Sequence, residues 1–352
     1  MVSKKKGNGM LTFIDLFAGI GGFRLAFQQQ GFKCVFTSEI DPACQQTYFE
    51  NHGDHPHGDI TKVPIDDLPN FDVLVGGFPC QPFSISGKKM GFVDTRGTLF
   101  FDICRIIKAK EPKTVVLENV QHLVHHDQGR TLKVILESLK ELGYKVDYQI
   151  LNAKDFGVPQ HRERIFIIGS KEGYFNFQLL EKQKTPTLRS FLDKDGDFEF
   201  LDKKEYTLIK NPRPQPKSGL IFVGYRNKNT WKVGIRPNTE HLSRVHRQPN
   251  RIYSVDGVHP TLPSQETSGR FFIYDSQKGT VRKLTITECY KLMGFPADFK
   301  RNPALGSSYL QIGNSVCVPL CAEIARVIKN KKGFVDEPQG KVSRELQQVF
   351  LY

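Results

Sequence analysis

A cysteine fixed between two prolines is the most reactive feature of this chain. The segment Val75-Gly76-Gly77-Phe78-Pro79-Cys80-Gln81-Pro82-Phe83-Ser84 sets it just past an apolar run. Prolines restrict the backbone on both sides and the preceding glycines leave room for a ligand, so Cys80 has the rigid approach vector of a nucleophile and little reason to serve packing. Val116-Leu117-Glu118-Asn119-Val120 ends a second apolar run on a carboxylate. Partial burial there favours the protonated form of Glu118, a proton donor; capping the next segment is its plainer role. Gln160-His161-Arg162-Glu163-Arg164 offers two planar guanidinium groups, Arg162 and Arg164, for carbonyl or carboxylate recognition or for a surface ion-pair cluster.

A second constellation lies earlier. Phe17-Ala18-Gly19-Ile20-Gly21-Gly22-Phe23 separates an apolar run from an amphipathic stretch, and glycines there let the backbone approach a ligand at a helix N-terminus. The dinucleotide fingerprint GxGxxG needs a third glycine where Arg24 stands, which disfavours a nicotinamide dehydrogenase. Glu39 follows Gly19 by 20 residues, at the end of the next apolar run, where an acid accepts hydrogen bonds from ribose hydroxyls. Asp59, in Gly58-Asp59-Ile60, is placed to meet an adenine amino group. A tight turn with helix caps is the alternative for each residue alone. Together they favour a nucleoside-containing cofactor without a pyrophosphate.

Positioning these groups requires a sheet edge. The pattern predicts strands over Leu11 to Phe17, Cys34 to Thr37, Phe71 to Val75, Thr114 to Leu117, Tyr148 to Leu151 and Arg164 to Ile168. Helices are predicted over Gly19 to Gln30, Asp41 to Asn51, Leu99 to Lys108 and Leu132 to Leu142. Strands alternating with helices imply βαβ units and a mostly parallel α/β sheet, whose carboxyl edge is where ligands bind. From about Lys182 the chain turns Asp/Lys/Pro-rich, with short β-type runs, and Val316 to Ile328 is again an amphipathic helix. The expected organisation is a catalytic and cofactor-binding domain over residues 1–185, a second, smaller, irregular β-rich domain over 186–300, and a C-terminal segment over 301–352 that returns to the first domain.

Composition narrows the partners. The 352 residues carry 50 Lys+Arg against 37 Asp+Glu, a net charge of +13, which favours a polyanion. Nine of the basic residues fall between Asn211 and Val255 with Glu240 as the lone acid, so that stretch supplies +8 of the excess. Seven cysteines without a CxxC pair argue against a disulfide framework or a structural zinc site, so no metal is expected and a reducing cytoplasm fits. Cys34, Cys104 and Cys317 lie among apolar neighbours and read as buried small hydrophobes. The longest apolar runs fall far short of the ~20 residues a membrane span needs, and the lysine-bearing N-terminus has no apolar stretch behind it, so membrane and exported placements are not expected.

These segments together resemble the bacterial cytosine carbon-5 DNA methyltransferases. The matching stretches are FIDLFAGIGGFRLA (13–26), GFPCQPFSISG (77–87), DTRGTLFFDI (94–103), LENV (117–120), QHRER (160–164), RKLT (282–285) and QIGNSV (311–316), in family order. The resemblance implies a Rossmann-like S-adenosylmethionine-dependent fold with an added strand, a target-recognition role for the second domain, S-adenosyl-L-methionine as cofactor with S-adenosyl-L-homocysteine as product, and a flipped cytosine in double-stranded DNA as substrate. It implies that Cys80 attacks carbon 6, that Glu118 holds and protonates ring nitrogen 3, and that Arg164, with Arg162 nearby, contacts the 2-carbonyl oxygen and fixes Glu118.

By the same resemblance the cofactor is lined by Phe17, Gly19, Gly21, Glu39, Ile40 and Asp59, and further by Ile60, Pro79, Leu99, Asn314 and Ser315. Residues 81–98 correspond to a loop that closes over DNA, with Lys88, Lys89 and Arg96 suited to phosphate contact. Ser86 and Gln248 match positions that fill the gap left by the flipped base. Thr261 matches a phosphate-binding position and Arg251 a DNA-contacting arginine. Arg226, Arg244 and Arg247 are candidates for guanine or phosphate contact. The setting implied is a monomeric, nucleoid-associated bacterial enzyme, as a solitary methylase or beside a restriction endonuclease sharing its site. The competing functions are tRNA cytosine-5 methylation on the same fold, opposed by the long stretch between QHRER and RKLT and by Phe78 before Pro79-Cys80, and a catalytically silent DNA-binding module, opposed by intact Cys80, Glu118 and Arg164.

Overall fold

The computed structural model describes residues 9–79, 99–227, 238–264, 272–330 and 332–338. They form two compact units: Met1–Leu151, Arg164–Glu181 and Leu320–Tyr352 make the first, Asn152–Glu163 and Lys182–Pro319 the second. The split differs from the expected boundaries at 185 and 300. Residues 152–163, which carry Gln160 and Arg162, and residues 301–319 pack within the second unit, because their backbone partners lie there.

In the first unit the chain runs β1 (Thr12–Leu16), α1 (Gly22–Gln29), β2 (Lys33–Ser38), α2 (Pro42–His52), β3 (Val73–Gly77), α3 (Leu99–Lys110), β4 (Thr114–Val120), α4 (Arg130–Glu141) and β5 (Lys145–Asn152). After the short strand β6 (Gln160–His161) come β7 (Glu163–Ser170) and β8 (Tyr174–Phe175). The sheet order is β2-β1-β3-β4-β7-β5. Strands β2, β1, β3 and β4 are parallel, while β7 runs antiparallel to β4. The middle of each central parallel strand is mostly apolar and buried, as in Ile14, Leu74 and Val115, because helices pack on the sheet. One core packs Ile14, Leu16, Leu74, Val115, Leu117 and Ile167 of the sheet against Ile103 and Ile106 of α3 and Ile135 and Leu139 of α4. Helix α4 buries Thr131, Leu132, Ile135, Ser138 and Leu139, a stripe at three- and four-residue spacing. Helix α2 starts where expected, with Pro42 in its first turn and the Asp41 side chain accepting from the amides of Ala43 and Cys44.

The second unit is less irregular than its composition implied. Strands β9 (Tyr206–Leu208), β10 (Phe222–Arg226), β11 (Arg251–Ser254), β13 (Phe272–Asp275) and β14 (Thr280–Lys283) form a sheet ordered β14-β13-β11-β10-β9, while β12 (His259–Pro260) pairs with β6. Side chains alternate across this sheet: Phe222 and Tyr253 join Leu220 and Val258 on one face, and Val223, Ile252, Phe272 and Val281 cluster on the other. Helices α5 (Ile286–Lys291) and α6 (Leu305–Asn314) follow, then α7 (Val318–Lys329) and β15 (Phe334–Val335), which pairs with β8. Within the first unit, Lys329 of α7 donates to the Gln30 carbonyl at 2.8 Å and Arg326 to the Leu179 carbonyl at 2.6 Å. No helix among the described residues is long and apolar enough to cross a membrane.

Candidate active site

The carboxyl edge of the parallel strands carries the glycine turn with Glu39 and Asp59. Register places Leu16 beside both Ser38 and Gly76, so Phe17, Glu39 and Gly77 follow abreast at that edge. Phe17 takes a left-handed conformation with φ 58°, which a bulky residue adopts only when its surroundings hold it there. Glu39 is one holder of the turn: its Oε2 accepts from the Gly19 amide at 2.7 Å and its Oε1 from the Asp41 amide at 2.9 Å. Gly21 also has positive φ, and a Cβ there would overlap the His52 ring, so two requirements fix glycine at this position.

The segment after α2 returns alongside β2. The Glu39 amide donates to the His57 carbonyl at 2.8 Å and the Ser38 hydroxyl to the Gly58 carbonyl at 2.8 Å. Asp59 therefore stands near Glu39, where the Thr61 hydroxyl and amide hold its carboxyl below the usual carboxylate range and keep it an acceptor. Ile40 is 68% exposed, an apolar surface left open at the same edge, whereas Ile60 is buried in the core. Leu99 is half-buried at the start of α3, and Pro79 is exposed after β3.

One residue of this edge had no role assigned from sequence. Asp15 sits inside β1 with no exposure, and neither carboxylate oxygen has a hydrogen bond of good geometry among the described residues. Burial pushes its carboxyl well above the usual range, opposed by the charge and backbone amide of Arg24 and reinforced by Glu39. The signal was available: an acid interrupts the run Phe13-Ile14-Asp15-Leu16, whose other members are fully buried.

The Glu118 and Arg164 group is built by β3, β4 and β7. Glu118 pairs with Gly77 of β3, and a Cβ on Gly77 would stand 3.4 Å from Glu118 Oε2, so the carboxylate lies directly over this glycine. Across the antiparallel pair Val120 faces Arg164, which puts Arg164 diagonal to Glu118 on one sheet face. Arg164 Nε lies 3.1 Å from Glu118 Oε1, with both side chains mostly buried. Asn119, on the opposite face, donates through Nδ2 to the Phe78 carbonyl at 2.8 Å and accepts from the Val120 amide at 2.8 Å. It thereby anchors the backbone two residues before Cys80.

Cys80 itself lies outside the described residues, as do Ser86, Lys88, Lys89 and Arg96. The other cysteines are poor nucleophiles: burial pushes the thiols of Cys44 and Cys104 up to about 12 and raises those of Cys34 and Cys289, while Cys317 and Cys321 are buried. Cys34 is only half-buried, more open than its apolar neighbours implied.

Arg162 is the main departure. Expected beside Arg164, it belongs to the second unit, and its guanidinium goes to the carbonyls of Leu262, Gly313 and Ser315. Arg162 lies in the link between β6 and β7, outside either strand, whereas Arg164 lies within β7 and meets Glu118. In the same unit Asn314 is exposed and Ser315 buried. The Thr261 hydroxyl donates to the His161 carbonyl at 2.8 Å. Arg251 donates to the His246 carbonyl through Nε and Nη2 and to Gln248 Oε1 through Nη1 at 2.9 Å, so it orients an exposed glutamine. Arg244 and Arg247 are exposed, and Arg226 lies over the Phe272 ring at 4.6 Å.

Comparison with known proteins places the chain in a family. Residues 11–330 match the family of C-5 cytosine-specific DNA methylases. The chain is 37% identical to the Type II methyltransferase M.HhaI of Haemophilus parahaemolyticus, covering 92% of this chain and 96% of that one. It is 39% identical to the Type II methyltransferase M.NlaX of Neisseria lactamica, over 91% of this chain and 96% of the relative. Among solved structures, S. pombe Dnmt2 methyltransferase superposes with a TM-score of 0.64 at 18% identity, covering 91% of this chain and 98% of that one. A putative DNA modification methyltransferase encoded within an E. coli prophage gives 0.62 at 21%, covering 90% and 97%. At those identities the two structures speak for the Rossmann-like methyltransferase fold alone. With the family match spanning both units and the relatives covered almost end to end, the chain belongs to the C-5 cytosine-specific DNA methylases and is a DNA (cytosine-5)-methyltransferase.

Proposed function

We propose that the chain transfers a methyl group from S-adenosyl-L-methionine to carbon 5 of a cytosine flipped out of double-stranded DNA, through a covalent Cys80 adduct. The observation that carries this reading is the Glu118–Arg164 pair beside Gly77, at the strand end that leads into Pro79-Cys80.

The first unit fits the cofactor by the chemistry of its donors. Asp15 offers a buried carboxyl whose oxygens have no hydrogen bond of good geometry among the described residues, suited to an ammonium group. Glu39 keeps lone pairs for ribose hydroxyls, Asp59 accepts from an adenine amino group, and Ile40 gives the ring an apolar face. Phe17, Gly19, Gly21, Ile60, Pro79, Leu99, Asn314 and Ser315 complete the set by resemblance. The bound cofactor supplies an electrophilic methyl group on a sulfonium.

Cys80 thiolate adds to carbon 6 of the ring. Glu118 donates a proton to ring nitrogen 3, which neutralises charge that otherwise accumulates there, and Arg164 holds Glu118 while meeting the 2-carbonyl oxygen. Carbon 5 becomes enamine-like and takes the methyl group. Loss of its proton to a base, relayed by water, then expels Cys80. Gln248, held by Arg251, and Ser86 fill the vacated stack, and Thr261, Lys88, Lys89 and Arg96 hold the duplex. The Type II relatives support a setting in which a restriction endonuclease shares the site.

The test is methyl transfer onto mixed-sequence duplex DNA, read by bisulfite sequencing. Protection of one cytosine within one recurring motif is expected, and Cys80→Ala is expected to abolish it while retaining DNA binding. Protection by Cys80→Ala protein would refute the covalent route; transfer to tRNA but not to duplex would move the substrate.

A further inference from the structure

Arg162 is 2% exposed, and its guanidinium joins two segments distant in sequence. Nη1 donates to the Leu262 carbonyl at 3.2 Å, and Nη2 to the carbonyls of Gly313 at 2.9 Å and Ser315 at 2.7 Å. Its own amide is held by Asn152 Oδ1 at 3.1 Å. The two segments also meet directly, since a Cβ on Gly313 would overlap the Pro263 carbonyl and the Ser264 Cα. Gln160, fully buried, ties down the same loop: its Oε1 accepts from the Leu262 amide at 3.1 Å and its Nε2 donates to the Leu292 carbonyl at 2.9 Å. Every member of this network lies in the second unit.

A buried guanidinium needs carbonyl partners, and any set of carbonyls would satisfy that need. The choice of partners is what carries the inference. On one side stands the loop with Thr261, assigned to a DNA phosphate; on the other stands the turn with Asn314 and Ser315, assigned to the cofactor. We propose that Arg162, with the close packing at Gly313, couples cofactor binding to DNA binding. This rests on the cofactor and phosphate assignments made above. Ordering the 313–315 turn by cofactor orders the 261–264 loop through the shared fork, and the reverse follows by linkage. Arg162 is a positioning residue and does not touch the cytosine. A lysine cannot replace it, because one ammonium cannot span carbonyls that a planar, two-armed fork reaches at once.

The test is calorimetric titration of S-adenosylhomocysteine into the full chain, alone and with saturating duplex carrying the motif found by bisulfite sequencing. Wild type is expected to bind S-adenosylhomocysteine about tenfold tighter with duplex present. Arg162→Lys is expected to bring that ratio close to one while each ligand alone binds within about threefold of wild type. Gly313→Ala, which pushes the turn off the loop, is expected to lower the ratio in the same way and serves if Arg162→Lys does not melt cooperatively. A wild-type ratio of one overturns the coupling and leaves the methylation reading standing. So does a pair of variants that weaken both ligands with the ratio unchanged, since that is what a merely structural arginine would do. A folded wild type that binds neither ligand overturns the assignments themselves.

Discussion

Arg164 Nε stands 3.1 Å from Glu118 Oε1, with 17% and 11% of the two side chains exposed. Little solvent screens this pair, so each partner depends on the other. Arg164→Met leaves Glu118 as an uncompensated carboxylate near the sheet edge, and the expected loss is about 3 kcal/mol of stability. Turnover is expected to fall by about 10²-fold or more, because the acid is no longer held toward the base. The double variant Glu118→Gln/Arg164→Met is expected to be no less stable than Arg164→Met alone, since the stranded charge is gone. Urea unfolding of wild type, Glu118→Gln, Arg164→Met and the double variant checks this, and additive losses would show that the two side chains act independently.

Asp15 makes the opposite prediction for stability and function. A buried carboxylate without a good hydrogen bond is costly, and an amide of the same shape costs less. Asp15→Asn is expected to gain about 1 kcal/mol in urea unfolding at pH 8 while weakening S-adenosylhomocysteine binding about tenfold. The pH sign follows from the raised carboxyl: the folded state holds a proton that the unfolded chain has released, so wild type loses stability as pH rises through the folded value. The advantage of Asn is therefore expected to shrink at acid pH. An Asn variant that binds cofactor normally would remove Asp15 from the cofactor site.

Parts of the candidate site are legible because its residues lie in contiguous segments. Glu118 lies near the end of β4 and Glu39 just after β2, and parallel strands that end at one edge converge, while Cys80 between its prolines lies outside the described residues. What was not legible depends on pairings that no local pattern encodes. Arg162 and Arg164 look equivalent in QHRER, yet the register of β7 on β4 gives Arg164 to Glu118, while Arg162, in the link before β7, goes to three carbonyls from distant segments. The five-stranded sheet of the second unit was hidden by strands of three to five residues, including the parallel pair of β11 and β13, whose partners are set by tertiary contact. Helix α6 escaped because Gly306 and Gly313 lower its local propensity.

Arg251 illustrates how a basic residue in a DNA-binding stretch can act through its neighbour. Its fork is engaged by the His246 carbonyl and Gln248 Oε1, and the His246 ring stacks on Tyr225 with centroids 4.1 Å apart. Arg251→Met is expected to impair methylation about as much as Gln248→Ala, because both release the glutamine. Exposed Arg247 is expected to behave differently: Arg247→Met should lower the slope of log affinity against log salt by about 1, while Arg251→Met leaves the slope unchanged. Binding measured between low and moderate salt separates these roles, and a reduced slope for Arg251→Met would make it a direct phosphate contact.

Acid should destabilise the fold through two imidazoles. His259 is 1% exposed, with Nδ1 2.7 Å from the Pro260 carbonyl, and burial pushes its pKa down to about 4. His52, against the Gly21 turn, is lowered to about 4 by burial and by the charge of Arg24. An unfolded histidine titrates near ~6.5, so below that pH the unfolded chain takes up protons that the folded chain refuses. Stability is therefore flat above neutrality, falls as pH drops from that value toward the folded pKa, and levels off below it. The slope is about 1.4 kcal/mol per pH unit for each fully excluded imidazole, with His52 contributing less because it is only half-buried. Asp15 works against this trend and flattens it. His259→Gln is expected to reduce the loss in urea-unfolding free energy between pH 7 and pH 5 by about 2 kcal/mol, since the substituted side chain takes no proton from the unfolded state. An unchanged pH dependence in that variant would mean that His259 is protonated in the folded protein, with a charge accommodated beside Pro260.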